Sequence, residues 1–452
     1  MRVSVQPAID HYNDLISRDL NDAESQLNWF VQEQKDRKLL FGDRPLTYSL
    51  RPAFLAESTY NHIQDTVYLL RQSILKIAEA HFNNVHSLDE LGLTAEEIEL
   101  AAIPTNIIRL SATARLDAFL TSDSFKFVEL NAESPAGIGY IHNLAALYRE
   151  MPIFQEFTKK FPVRFVSPLE HLVDGLLRIY HEEFDGTLEK PTFCIVDFLD
   201  IPTIHEFNII RDYLHRHGYE CEISDPRNLE LKDGWIYANG RKIDIIYRRL
   251  LMNEFMAIRS ECVAYEEGYR AQKTCYLNSF RTKLVHKKSI FSFLTDPKYT
   301  NILNTLELQT IRQHIPWTRK LRDTKTMYRG RMIDILEYTY RNKQSFVIKP
   351  NDEYGGKGVV LGFQATDEEW SNAITYGLEN GYVVQETVDI SKEPFMMKTE
   401  KGWHQIPTVV DLDPYLNGPM MGGCLVRTSS SNLANVTAGG GSMPAFILRY
   451  VR

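Results

Sequence analysis

Three segments of this sequence combine charged residues, amides and glycines in patterns suited to chemistry on phosphates. In VIKPNDEYGGKGVVLG an apolar run delivers Lys349, and Gly355, Gly356 and Gly358 follow in a loop. Glycines let backbone N–H groups close around phosphate oxygens with no Cβ in the way. Lys349 would supply a fixed positive charge and Lys357 a mobile one. The spacing is not that of the G-x-x-x-x-G-K-[ST] loop that opens a helix, and a hairpin needing only a tight turn is an equal reading. In VVQETVDI an apolar strand ends at Gln385 and Glu386, with Asp389 just beyond. Such an edge strand can pair its backbone with adenine, while a carboxylate at its end accepts from ribose hydroxyls. The third constellation is Arg115, Asp117, Glu129 and Asn131. Glu129 and Asn131 are two residues apart and share one strand face, with Asp117 expected on the neighbouring strand. Three hard oxygen donors suit Mg²⁺, which keeps few protein ligands and completes its octahedron with water and phosphate. Arg115 would neutralise a phosphoryl group. Alternating polar residues are usually just the wet face of a strand, but here VELNAESPAGIG carries the acid and amide from an apolar strand into a Pro/Gly loop.

Two adjacent arginines, Arg248 and Arg249, close the run IDIIYRR and could pair bidentately with a substrate carboxylate. Neighbouring strand residues face opposite ways, so one of them at most would do so.

The elements that must hold these groups are legible in outline. Ile63, Val67, Leu70, Ile74 and Ile77 make one apolar helical stripe in a helical N-terminal region. Two strands joined by a turn at Thr121 to Ser124 would carry the acidic constellation. FCIVDFL reads as a strand, followed by a helix opened by a Thr203/Glu206 capping box and ending near Gly218. YECEIS is a further strand, and WIYANGRKIDIIY a hairpin turned at Asn239-Gly240. The last third returns to strands around a helix opened by Thr366/Glu369. The expected division is residues 1–105 helical, 106–165 the metal-binding hairpin region, 166–285 an α/β unit and 286–452 the nucleotide-binding region.

Composition limits the function classes. The chain has 452 residues, 44% hydrophobic and 24% charged, enough for two or three ordinary cores. A net charge of −8 gives no global positive field for nucleic acid or an anionic membrane. With no signal-like or membrane-spanning apolar run, the expectation is a cytoplasmic protein. Five scattered cysteines without a C-x-x-C pair point to reduced thiols, and the thirteen histidines show no metal-ligand spacing.

R-x-D-x-F followed by V-E-L-N resembles the magnesium-binding end of ATP-grasp ligases, and VIKP with its Gly loop, then VVQE, resembles their nucleotide-binding beginning. Here the end precedes the beginning. That order is similar to the circularly permuted ATP-grasp proteins, including glutathionylspermidine synthase-like and eukaryotic glutathione synthetase-like enzymes. The resemblance spans roughly residues 107–140 and 240–442 and is patchy between motifs. It implies an α/β, circularly permuted ATP-grasp fold with an inserted α/β substrate domain and a helical N-terminal region. K-P-x-x-E-x-G-G in Lys349 to Gly356 resembles the glutathione synthetase loop whose acid binds metal, which implies that role for Glu353. KKSIFSFL resembles the helix bearing a second ATP-contacting lysine, best matched by Lys288, with Lys287 as the near alternative. DLDPYLNGPMMGGCLVRTSSSNLANVTAGGGS, with Asp411, Asp413, Arg427 and Asn435, resembles the stretch that closes over the acyl-phosphate region. Arg427 would spread charge on the transferring phosphoryl group and Asn435 contact substrate, while a flexible connection is an equal reading of GGGS. The implied activity is joining a small-molecule or peptide carboxylate to an amine, with ATP and Mg²⁺ as cofactors and through an acyl phosphate. A homo-oligomer is compatible, and no segment specifies glutathione or a polyamine. A kinase or phosphotransferase on the same scaffold and a non-catalytic nucleotide-binding protein are the competing readings.

Overall fold

The computed structural model describes residues 5–120, 124–429 and 441–449. Its largest sheet has eight strands drawn from distant parts of the chain. Along its main path run Ala53–Ala56, Gly441–Leu448, Met420–Ser429, Gly402–Asn417, Thr113–Leu120 and Phe125–Asn131, with Lys392–Thr399 paired to Gly402–Asn417 and Val163–Arg164 to Gly441–Leu448. The helical N-terminal region therefore also contributes a strand, Ala53–Ala56, parallel to Gly441–Leu448. The apolar stripe of the Glu57–His81 helix packs in one core with one face of this sheet: Ile63, Val67, Leu70 and Ile77 are buried, with Ile74 against them. A second core joins the N-terminal helices, the Ile138–Glu150 and Pro168–Glu182 helices, and the other face.

The α/β unit is a parallel four-stranded sheet in the order Cys275–Leu277, Ile245–Arg248, Phe193–Val196, Cys221–Ser224. Asn239 and Gly240 both have positive φ, 51° and 79°, as the expected turn requires. That turn joins Trp235–Ala238 to Arg241–Lys242, whereas Ile245–Arg248 leaves the hairpin for the parallel sheet. The Ile204–Arg216 helix begins at Thr203, but Thr203 makes no side-chain cap. Glu206 instead accepts hydrogen bonds from the N–H groups of Gly137 and Gly139, at 2.8 and 3.0 Å.

A separate antiparallel sheet, Thr318–Lys320, Val383–Glu386, Phe346–Lys349 and Val360–Leu361, packs with the Asp367–Glu379 helix in its own core. That helix opens with the expected Thr366/Glu369 capping box. The lysines of KKSIFSFL lie on the turn before the Ile290–Thr295 helix, not on the helix itself. The C-terminal segment resembling a closing stretch is instead built largely into the large sheet, as the strands Gly402–Asn417 and Met420–Ser429. Asn435 lies outside the described residues, as do 439 and 440 of GGGS, and Gly441 opens the strand Gly441–Leu448.

Candidate functional site

A cavity of about 450 Å³ lies where the three sheets meet. One wall is the hairpin Thr113–Leu120/Phe125–Asn131, whose register sets Asp117 opposite Glu129 and Arg115 opposite Asn131. All four side chains line the cavity. Facing them, the register of Phe346–Lys349 with Val383–Glu386 pairs Val347 with Gln385. Lys349 Nζ donates to Gln385 Oε1 at 2.7 Å, and Gln385 Nε2 donates to Thr318 Oγ1 at 3.0 Å, so the lysine head is held from below. Burial lowers the Lys349 ammonium, against the pull of Glu129, to about 8. Lys288 Nζ lies 3.0 Å from Glu129 Oε1. A lysine pair and a carboxylate thus meet across the junction between two sheets, a place for a polyanion only if further cation or proton balances Glu129.

The loop after Lys349 is fastened at its root. Asn351 Oδ1 accepts from Ser289 N–H at 2.9 Å, its Nδ2 donates to Leu91 O at 2.8 Å, and Asp352 pairs with Lys283 at 2.8 Å. Gly355, Gly356 and Gly358 all have positive φ, from 68° to 76°, and Gly355 and Gly356 reach the cavity. Val347, Leu361, Val388 and Ile390 form an apolar end beside Gln385 and Glu386. Glu386 accepts from Tyr328 Oη at 2.8 Å and is also paired with Arg329.

Behind the hairpin sits a buried cage of three aspartates and two arginines. Arg115 Nε and Nη2 donate to the two oxygens of Asp117 at 2.9 and 3.2 Å. Arg427 lies within 2.8 Å of Asp117, 2.6 Å of Asp411 and 2.9 Å of Asp413. Burial would raise the Asp117 carboxyl, but Arg115 and Arg427 outweigh it and hold it down at about 2. Asp411 is pushed up to about 6 by burial despite Arg427, and burial drives Asp413 well above the usual carboxylate range. Asp117, expected as a metal ligand, has both its oxygens paired with guanidinium groups in this structure. Arg427 does line the cavity, but as the centre of a charge cage, with Asp411 beside it.

The arginine pair divides as strand geometry requires. Arg248 is wholly buried and turned from the cavity, with Nε donating to Asn278 O at 2.7 Å and Nη1 3.2 Å from Glu133. Of the two arginines expected at a substrate carboxylate, Arg248 is thus the one that does not reach the cavity, its charge matched by Glu133. Arg249 lines the cavity, but its Nη1 donates to Pro135 O at 2.7 Å and its Nη2 lies 3.4 Å from Glu206, itself wholly buried. Its charge too is matched from within.

Other expected site residues fall outside the cavity. Asp389 is exposed, Lys357 is exposed and paired with Glu353 at 3.3 Å, and Gly358 packs near Pro350. Glu353 presents its backbone carbonyl to Lys288 Nζ at 2.5 Å, not its carboxylate to the cavity. Lys287 turns to Glu97 and Asp352, at 2.8 and 3.3 Å, which leaves Lys288 as the lysine at Glu129. Two lining carboxylates had been given no role, Asp197 and Glu254. The signal for Asp197 was present: it is the acid that ends the strand in FCIVD, where parallel sheets bind ligands.

Glu129 and Asn131 remain as oxygen donors facing the cavity. Among the described residues no group of three or more histidines, cysteines or acids is placed to hold a metal ion. Two oxygen donors still fit Mg²⁺, which binds through one or two protein ligands plus substrate phosphates.

No family model matches the chain. An uncharacterised Mycobacterium leprae protein is 20% identical over 474 residues, spanning 97% of this chain and 79% of that protein. An uncharacterised Mycobacterium tuberculosis protein is 22% identical over 344 residues, spanning 72% of this chain and 58% of its own length, so the match covers under two thirds of that relative. Among solved structures, a glutathione synthetase-like effector from Globodera pallida in apo form matches with a TM-score of 0.61 at 12% identity, over 94% of this chain and 96% of that one. The chain shares that effector's fold, a mixed α/β arrangement.

Proposed function

We propose that this protein is an ATP- and Mg²⁺-dependent carboxylate–amine ligase on a circularly permuted ATP-grasp scaffold. The observation that carries the reading is the meeting of Lys349 with Glu129 and Asn131 in one cavity, with Lys288 paired to Glu129, although the hairpin precedes the lysine strand by over two hundred residues. The apolar end beside Gln385 and Glu386 suits an adenine ring and ribose, and the Gly355–Gly356 backbone a phosphate chain. Mg²⁺ held by Glu129 and Asn131 would screen phosphate charge.

In this reading a substrate carboxylate oxygen attacks the γ-phosphorus of ATP, and the bond to the β-phosphate oxygen breaks to release ADP. An amine then attacks the acyl-phosphate carbonyl; inorganic phosphate and a proton leave. Lys349, anchored on Gln385, would neutralise charge on the transferring group without rearrangement. Arg427 and Arg115 offset the negative charge of Asp117 on the cavity wall. Hydroxylamine tests the reading: with ATP, Mg²⁺ and the acid substrate it should yield a hydroxamate, ADP and phosphate. AMP and pyrophosphate would mean adenylation instead, and a stable phosphorylated product that hydroxylamine cannot intercept would mean a kinase.

A further inference from the structure

The cavity has an end away from the lysines, and its charge is opposite in sign to what two adjacent arginines suggest. In the parallel sheet the chain runs from Phe193–Val196 outward to Cys221–Ser224, then crosses back to Ile245–Arg248 on the other side. The carboxyl ends of the two central strands consequently diverge, leaving the crevice in which open α/β sheets bind ligands. Asp197 follows one strand and Arg249 the other, and both line the cavity.

Their charges are not balanced alike. Arg249 is matched by Glu206, whose other oxygen is held by the Gly137 and Gly139 N–H groups. Arg248 is matched by Glu133. Asp197 is only 6% exposed and accepts the N–H of Phe198 at 2.7 Å. Among the described residues no lysine, arginine or histidine nitrogen lies within ion-pair distance of it. Glu254, from the Met252–Ala257 helix, adds a second carboxylate to the lining, and its own contact is the N–H of Leu251 at 3.0 Å. Ile201, Pro202 and Leu251 supply apolar walls. A buried carboxylate with no cation is costly, and a ligand that brings the cation removes the cost.

We propose that this crevice binds the cationic end of a substrate, an ammonium group on a short apolar stem, with Asp197 as its counter-ion and Glu254 in support. The assignment deepens the ligase reading and rests on it for calling the ligand a substrate; the ammonium is a recognition handle, and no bond changes there. It replaces the expectation of a carboxylate held by Arg248 or Arg249. The charged groups acting on Asp197 are Arg249 from the adjacent strand, Glu254 from the helix and, most weakly, Arg248, which is turned from the cavity; burial, the dominant influence, pushes its carboxyl up to about 7.

The test uses two matched probes, n-butylammonium and butyrate, observed by saturation-transfer NMR on the full chain, with ATP binding measured alongside by calorimetry. Butylammonium should bind and butyrate should not. Asp197→Asn should weaken butylammonium by about tenfold, the cost of one charge-assisted hydrogen bond, whereas Asp197→Glu should retain it. In the wild type, binding should strengthen as pH rises from about 6 to about 8, as Asp197 ionises and an alkylammonium stays charged. Should Asp197→Asn fail to fold, that pH series decides: binding flat across it overturns the assignment. So does butylammonium binding undiminished in folded Asp197→Asn, or preferred binding of butyrate. ATP binding without butylammonium binding defeats the crevice assignment alone, and Asp197-dependent butylammonium binding without ATP binding defeats the ligase reading alone.

Discussion

Replacing Arg427 by Met would remove the one group that touches all three aspartates of the cage while keeping a long apolar side chain. Arg427 stands 2.8, 2.6 and 2.9 Å from Asp117, Asp411 and Asp413. Arg115 would be left as the near cation, engaging Asp117 and lying 3.9 Å from Asp413. Breaking a buried ion pair from one side costs about 3–5 kcal/mol, because the remaining charge has no compensation. Unfolding entropy of roughly 2.1 cal/mol/K per residue, over 452 residues, makes this a fall of about 3–5 °C in Tm for a chain melting as one unit. The sign with pH follows from the carboxyls. In the wild type Asp117 sits at about 2, below its unfolded value, so its contribution is present at neutral pH and lost only on strong acidification. Asp411, at about 6, and Asp413 already stand above the unfolded value of about 3.9, and loss of Arg427 raises all three carboxyls further, so they cost more stability as pH rises. The deficit of Arg427→Met should therefore be largest near pH 8 and shrink toward pH 5, in urea titrations or scanning calorimetry. Adding Asp411→Asn should recover part of it at pH 8, since one carboxyl that lost its cation is gone. A loss under about 1 kcal/mol, or a deficit that does not shrink on acidification, would refute the cage as an electrostatic unit.

Further outcomes concern the cavity and the core. Lys349→Ala should reduce ATP turnover by at least about a hundredfold, while Lys357→Ala, exposed and outside the cavity, should cost less than about tenfold; steady-state ADP release checks the ranking, and equal effects would sink it. Glu129→Ala should weaken Mg²⁺-dependent nucleotide binding in calorimetry but leave the smaller Mg²⁺-free binding unchanged or tighter, because Lys288 is then freed for phosphate. Asp197→Asn should raise Tm at pH 8 by a few degrees: burial places its carboxyl at about 7, above the unfolded value, so ionisation costs stability as pH rises through 7. His142, His286 and His314 are each lowered to about 4 by burial. Their neutral forms support the fold above about 6.5, and that support is lost as pH falls from there toward 4. The urea midpoint should decline over that window, and His142→Gln should flatten part of the decline.

How much of this was readable in advance differs by residue. The period-two spacing of Glu129 and Asn131, with Asp117 in an adjacent apolar strand, was enough to place them on one hairpin face, and the register sets Asp117 against Glu129. Lys349 at the end of an apolar strand before glycines was legible for the same reason: a local pattern dictates a local conformation. The capping box at Thr366 formed as written, whereas the one at Thr203 did not, since Glu206 found two N–H groups and an arginine farther away.

The sequence alone determined the acidic hairpin, the glycine loop and the alternation that sends Arg248 and Arg249 to opposite sides. Tertiary structure decided what each charge meets. Arg427 reaches Asp117 across 310 residues, Arg248 reaches Glu133 across 115, and Arg249 reaches Glu206 across 43. Those pairings occupy both oxygens of Asp117 and match the charges of Arg248 and Arg249, while no such partner reaches Asp197 among the described residues. A side chain's chemical role depends on the charges within a few ångströms of it in a low-dielectric interior, and which charges those are is set by the packing of sheets whose strands lie far apart along the chain.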